Sequence, residues 1–131
     1  MSQREPQTIE RGAIFVQDNP FLPKTLHLES KTGHGGWARV GNQMDGGQLE
    51  TTLSAAGWTS FYLAGSIQTT VFGFDRQKTA SEALKRLIVS MGVDRCNCLE
   101  IDDVTTHSWL GLPYVRLSSH ARQIQEKKVT R

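Results

Sequence analysis

Between Trp58 and Val104 an apolar run, a helix with marked ends and a second apolar run follow one another, and this stretch limits what the chain can fold into. Ala80, Ala83, Leu84, Leu87, Ile88 and Met91 recur at three-and-four spacing, while Glu82, Lys85, Arg86 and Ser90 fall on the opposite side. That spacing predicts a helix over residues 80–91 with one face in the core and one in water. Thr79 followed by Glu82 fits a capping box, and Gly92 supplies the stop because a left-handed residue costs glycine no Cβ clash. The basic pair Lys85/Arg86 reads as part of the solvated face.

Before the helix, Phe61, Leu63, Ile67 and Val71 share one parity, which puts them on one side of an extended chain. A loop at residues 64–66 keeps all four on one face, so the stretch reads as a hairpin, with one long bent strand as the alternative. After the helix, Leu99 and Ile101 point one way and Cys98, Glu100 and Asp102 the other.

With 131 residues, 37% hydrophobic and 21% charged, the chain suits one domain with one core. A net charge of +2 is too small to imply nucleic acid by itself. No apolar run is long enough to cross a bilayer, and Met1–Glu10 lacks the apolar centre of a signal peptide, so a cytoplasmic protein without a membrane partner is expected. Cys96 and Cys98, two apart on a strand, face the same way and read as reduced structural thiols.

The polar start Met1–Thr8 reads as a frayed end, and Ala13–Val16 as an apolar patch on an irregular arm broken by Asn19-Pro20 and Pro23. Leu26 and Leu28 alternate with His27 and Glu29, which hints at an edge strand. The glycine-rich Thr32–Gly36 lacks both the Lys-Ser/Thr pair and the following helix that a phosphate loop needs, since Trp37-Ala38-Arg39-Val40 reads as a strand. A second helix spans Gln48–Ala56, capped by Asp45 and ended by Gly57, with Leu49, Leu53 and Ala56 as its buried stripe. The resulting order predicts an α+β fold: a ferredoxin-like βαββαβ two-layer sandwich, both helices on one sheet face, with an extra C-terminal strand from Leu112 to Leu117. The implied organisation is a flexible arm over 1–24, one domain over 25–121 and a basic tail over 122–131.

Ala56-Gly57-Trp58, Ala64-Gly65, Phe72-Gly73, Leu110–Val115 and Ser119–Gln125 resemble blocks of a group of small uncharacterised bacterial α+β proteins. The likeness covers Trp37 to Gln125, implies a bacterial source and a compact α+β domain, and carries no activity. Phe72-Gly73-Phe74 also resembles the core of the aromatic stacking motif of RNA-recognition domains. The match is partial, because Thr69-Thr70 and Asp75-Arg76-Gln77 replace its flanking residues.

For chemistry, His107, His120, Asp102, Asp103, Glu100 and Ser119 could serve acid–base work, and His34, His107 and His120 could converge, but no ligand pair at helical spacing supports a metal. No cofactor or metal is expected. The expected function is a small non-enzymatic binding or interaction module that self-associates through an exposed sheet edge or face. A nucleic-acid-binding domain, or a small enzyme using His107 or His120, is the alternative. The candidate ligand-binding residues are Phe72, Phe74, Arg116, His120 and Arg122, the last three continued in sign by Lys127, Lys128 and Arg131.

Overall fold

The computed structural model describes residues 9–19, 21–31, 36–41, 44–63, 65–92 and 96–127; the expectations placed on residues 1–8, Pro20, glycine-rich 32–35 including His34, Ala64, Lys128 and Arg131 lie outside the described residues. The elements run β1 (Ile14–Gln17), β2 (Leu28–Lys31), β3 (Trp37–Val40), α1 (Gly46–Ala55), β4 (Trp58–Tyr62), β5 (Ile67–Phe72), α2 (Arg76–Met91), β6 (Cys98–Trp109) and β7 (Leu112–Glu126). The described strands form one antiparallel sheet in the order β2-β3-β1-β6-β7-β4, with β5 also paired to β7.

This overturns the ferredoxin-like sandwich. Phe15, Trp37, Leu99, Ile101, Val115, Leu117 and Ala121 pack with Ala80, Ala83, Leu84, Leu87 and Ile88 of α2. Ile14, Val16, Val40, Cys98 and Ile124 pack with Leu49 and Leu53 of α1. Because neighbours in a strand point to opposite faces, the two helices lie on opposite faces of the sheet rather than side by side on one. The signal was in β1 and β3, whose apolar side chains are buried without alternation, as strands covered on both sides are. The run Ala13–Val16, expected in an irregular arm, thus contains a strand held between β3 and β6.

The hairpin expected between Thr59 and Phe74 is also absent. Trp58–Tyr62 pairs with Arg122–Glu126 and Ile67–Phe72 pairs with Tyr114–Ser119, so β4 and β5 lie end to end along one long partner. Pairing with β7 breaks off after Tyr62 and resumes at Ile67, which is the bent-strand alternative. The tight turn lies instead at Leu110-Gly111, both at positive φ, and joins β6 to β7. β7 continues to Glu126, through the first half of the expected tail, because β4 and β6 flank residues 122–126 or their immediate neighbours and satisfy their backbone groups.

Both helices begin at aspartates. Asp45 caps α1 and forms a reciprocal box with Gln48. Asp75 accepts from Gln77 N and Lys78 N, so α2 starts before the expected Thr79 cap, and Gly92 ends it at φ +74. No helix among the described residues is long and apolar enough to cross a membrane.

Candidate functional site

The five sequence candidates separate into two groups and one outlier. On the α1 side of the sheet, Arg122 is 2% exposed and is gripped from three other elements. Its Nε donates to Glu100 Oε1 of β6 at 2.9 Å, its Nη1 to Glu50 Oε1 of α1 at 2.8 Å and to Ser60 Oγ at 3.1 Å, and its Nη2 to Tyr62 Oη of β4 at 2.5 Å. The guanidinium also sits 4.1 Å from the centre of the Tyr62 ring. Burial pulls the Arg122 pKa down, but the hydrogen bonds to Glu50 and Glu100 outweigh it and the net shift is upward. A permanently charged side chain that is 2% exposed and commits four of its five N–H donors to protein acceptors ties α1 to the sheet and is not presented to a phosphate in solvent.

His120 lies beside this network. Its ring meets Tyr62 edge-on at 5.1 Å, and its Nδ1 faces Asp102 Oδ2 at 2.5 Å, out of line for a straight hydrogen bond. The register slips between Ile101 and Asp103, and this bulge turns Asp102 toward His120 on the neighbouring strand. Burial, reinforced by Glu100, pushes the Asp102 carboxyl above its usual range against the pull of His120. Burial likewise raises the Tyr62 hydroxyl. A carboxylate–imidazole pair can move a proton, yet Ser119 is fully buried on the opposite face and so cannot serve as its nucleophile.

The second group occupies the half of the same face that α1 leaves uncovered. Phe72, Tyr114 and His107 stand in register across β5, β7 and β6, with ring centres 5.1 Å and 5.2 Å apart. Arg116 reaches over Tyr114 at 5.8 Å, and Trp109 and Leu112 extend the row to the β6–β7 turn. Phe72 is 52% exposed and Trp109 60%. Phe74, 84% exposed, belongs to neither group: it stands in the β5–α2 loop beside a groove of 360 Å³ shared with Lys78, Glu82 and Arg86.

His107 and His120 are six positions of ladder apart and do not converge; His107 Nε2 instead meets Thr105 Oγ1 at 2.8 Å. Among the described residues no group of three His, Cys, Asp or Glu side chains could hold a metal. A second groove, of 710 Å³, follows the start of α1 past Met44, Gln48 and Thr52, and neither groove is lined by His120 or Asp102.

Tyr114 and Tyr62 are the site residues that sequence reasoning missed. Tyr114 was within reach, because a two-residue turn at Leu110-Gly111 pairs Trp109 with Leu112 and therefore His107 with Tyr114. Tyr62 was not, because the hairpin reading gave β4 the wrong neighbour. No family model matches the chain, and no curated protein and no solved structure matches it either.

Proposed function

We propose that this protein is a non-catalytic interaction module that works by adding an extended strand of a partner to its β4–β5 edge. The carrying observation is that this edge is open and uncharged. Among the described residues β4 and β5 pair only with β7, and from Thr51 to Phe74 the chain has no Asp, Glu, Lys or Arg. Sheet edges are ordinarily blunted by charge, proline or brevity. The opposite edge follows that rule, since β2 has four residues and includes Glu29 and Lys31. The long edge does not, and an unblunted edge suits strand addition.

The backbone geometry supports the same reading. Leu63 N donates to Ala121 O and Gly73 N to Pro113 O, so the odd-numbered residues turn their peptide groups toward β7. Gln68, Thr70 and Phe72 therefore direct theirs outward. A labelled peptide of sequence Ile-Gln-Thr-Thr-Val-Phe should bind wild-type protein, and Thr70→Pro should lose that binding. Proline there deletes an outward donor and leaves the β7 ladder intact; Thr70→Lys, a gatekeeping charge, should act alike. Equal peptide binding by wild type and both variants, or none by wild type, removes the reading.

One observation favours a second reading, binding of single-stranded nucleic acid on the open face: the ring row Phe72–Tyr114–His107 with Arg116 above it. With Arg122 locked between carboxylates, Arg116 is the cation of the original five that this face still offers. A low-salt shift of labelled oligonucleotide, lost in both Phe72→Ala and Arg116→Ala, supports it; no shift ends it.

A further inference from the structure

We infer that the strand received at this edge is β5 of a second copy of the chain, giving a two-fold dimer whose sheet runs continuously through both subunits. The inference rests on the strand-addition reading above and names its partner.

A surface that pairs with itself around a two-fold axis brings each residue near its own copy or near a symmetry-related neighbour. Any charge on such a strand meets a like charge or requires an opposite one at the mirrored position. β5, reading Ile67-Gln68-Thr69-Thr70-Val71-Phe72, carries no charge, so no register is penalised by repulsion.

The outward backbone groups then restrict the register. Hydrogen-bonded pairs across the seam must join even-numbered residues, because Gln68, Thr70 and Phe72 point outward. Continuation of the sheet also requires paired side chains to share a face. Every register with a residue on the axis meets both conditions, and the two centred on the middle of β5 keep most of the strand paired. With Thr70 on the axis, Gln68 opposes Phe72 and Thr69 opposes Val71, which sets polar against apolar side chains. With Thr69 on the axis, Ile67 opposes Val71 on the α2 side, Gln68 opposes Thr70 on the open side, and Thr69 meets its own copy. The second arrangement pairs like with like from Ile67 to Val71 and leaves only Phe72 opposite a polar residue, Ser66, and cross-strand Thr–Thr and β-branched pairs are favourable ones.

The same register limits the seam. Extending it beyond β5 would bring β4 against the segment of α2 at residues 76–80, so the added pairing is confined to about six residues. That is a small interface, and dimerisation should be concentration-dependent rather than permanent.

Placing Thr69 on the axis in a pair without hydrogen bonds brings the two Cα atoms to about 4.5 Å, within disulfide reach. Thr69→Cys should therefore cross-link into a covalent dimer under mild oxidation, visible on a non-reducing gel, while Thr70→Cys should do so at least several-fold more slowly. Wild type supplies the background, its own two thiols being buried. Sedimentation of wild type should show a monomer–dimer equilibrium that Thr70→Lys shifts to monomer. Faster cross-linking at Thr70→Cys than at Thr69→Cys, or equal rates at the two positions, overturns the dimer inferred here. A wild type that stays monomeric at every concentration, with no cross-link from Thr69→Cys, does the same. If in that case the peptide still binds and Thr70→Pro abolishes it, the contact strand stands and the partner is another protein; if the peptide also fails, both readings fall.

Discussion

Gly46, the first residue of α1, lies so close to Arg122 that a β-carbon added there would meet Arg122 Nη2 and Glu100 Oε1 inside van der Waals distance. Helix α1 thus rests its N-terminal turn directly on the buried ion pair. Neither contacted atom can move freely, because each is already held by hydrogen bonds to other elements. Gly46→Ala should cost about 1–3 kcal/mol, the usual scale of overpacking. Gly47→Ala is the matched control: a β-carbon there makes only ordinary contact with Asp45, and alanine gains up to about 1 kcal/mol of helix propensity. Opposite signs for these adjacent substitutions in urea titrations would establish the contact; the same sign for both would refute it.

Removing Arg122 should be more damaging than removing an exposed arginine. Arg122→Ala leaves Glu100, itself 16% exposed, without its cation and leaves Glu50 and Ser60 without a donor. Breaking one side of a buried pair costs about 3–5 kcal/mol. Replacing both partners by apolar residues, as in Arg122→Leu with Glu100→Leu, should recover part of that loss, because no uncompensated charge remains. If Arg122→Ala costs less than Arg116→Ala on the open face, the network is not holding the helix to the sheet.

Asp102 gives the fold a pH signature of defined sign. Its folded-state pKa lies above its ordinary value, mainly through burial, so the folded chain holds this proton more tightly than the unfolded chain does. The stability linked to that proton is complete below the ordinary carboxylate pKa of about 3.9 and is lost as pH rises through the raised value. Asp102→Asn should therefore gain on wild type as pH rises through that window. His120→Ala, by removing the pull that opposes burial, should move the window higher. Chemical denaturation at a series of pH values checks both, and an Asp102→Asn variant that loses ground to wild type across the window would contradict the burial account.

The parts of this architecture legible in the sequence were the local ones. The α2 stripe, the Asp45 cap, the Gly92 stop and the edge position of Leu28 follow from spacing and backbone preference, and Leu84, Leu87 and Ile88 are buried as the periodicity requires. What misled was long-range. Element order alone favoured two helices on one face, whereas the unbroken burial of Ile14-Phe15-Val16 and Trp37–Val40 required cover on both. The parity of Phe61, Leu63, Ile67 and Val71 fitted a hairpin as well as a bent strand, and only the extent of β7 along both segments decided between them. Asp102 and His120 were visible as residue types, but their meeting depends on a bulge that leaves no mark in the sequence. Arg122 looked like the start of a basic patch because nothing in a single sequence shows that Glu50, Glu100 and Tyr62 converge on it.

The two cysteines provide a last test of the sheet's construction. Two residues apart, they were expected to face one way, but Cys96 precedes β6 and packs in the core under α2, whereas Cys98 opens β6 and packs in the core under α1. Cys96 Sγ donates to the Cys98 carbonyl at 2.9 Å, and burial raises the pKa of both thiols, most strongly at Cys98. A thiol reacts as its thiolate, so both should resist iodoacetamide in the native protein and react together once it is unfolded. Reductant should leave the melting temperature unchanged, since opposed faces leave no bond to break. Alkylation should instead track global unfolding, with half-modification falling at the urea midpoint; rapid labelling of Cys98 in native buffer would show that the α1 face opens independently of the rest of the sheet.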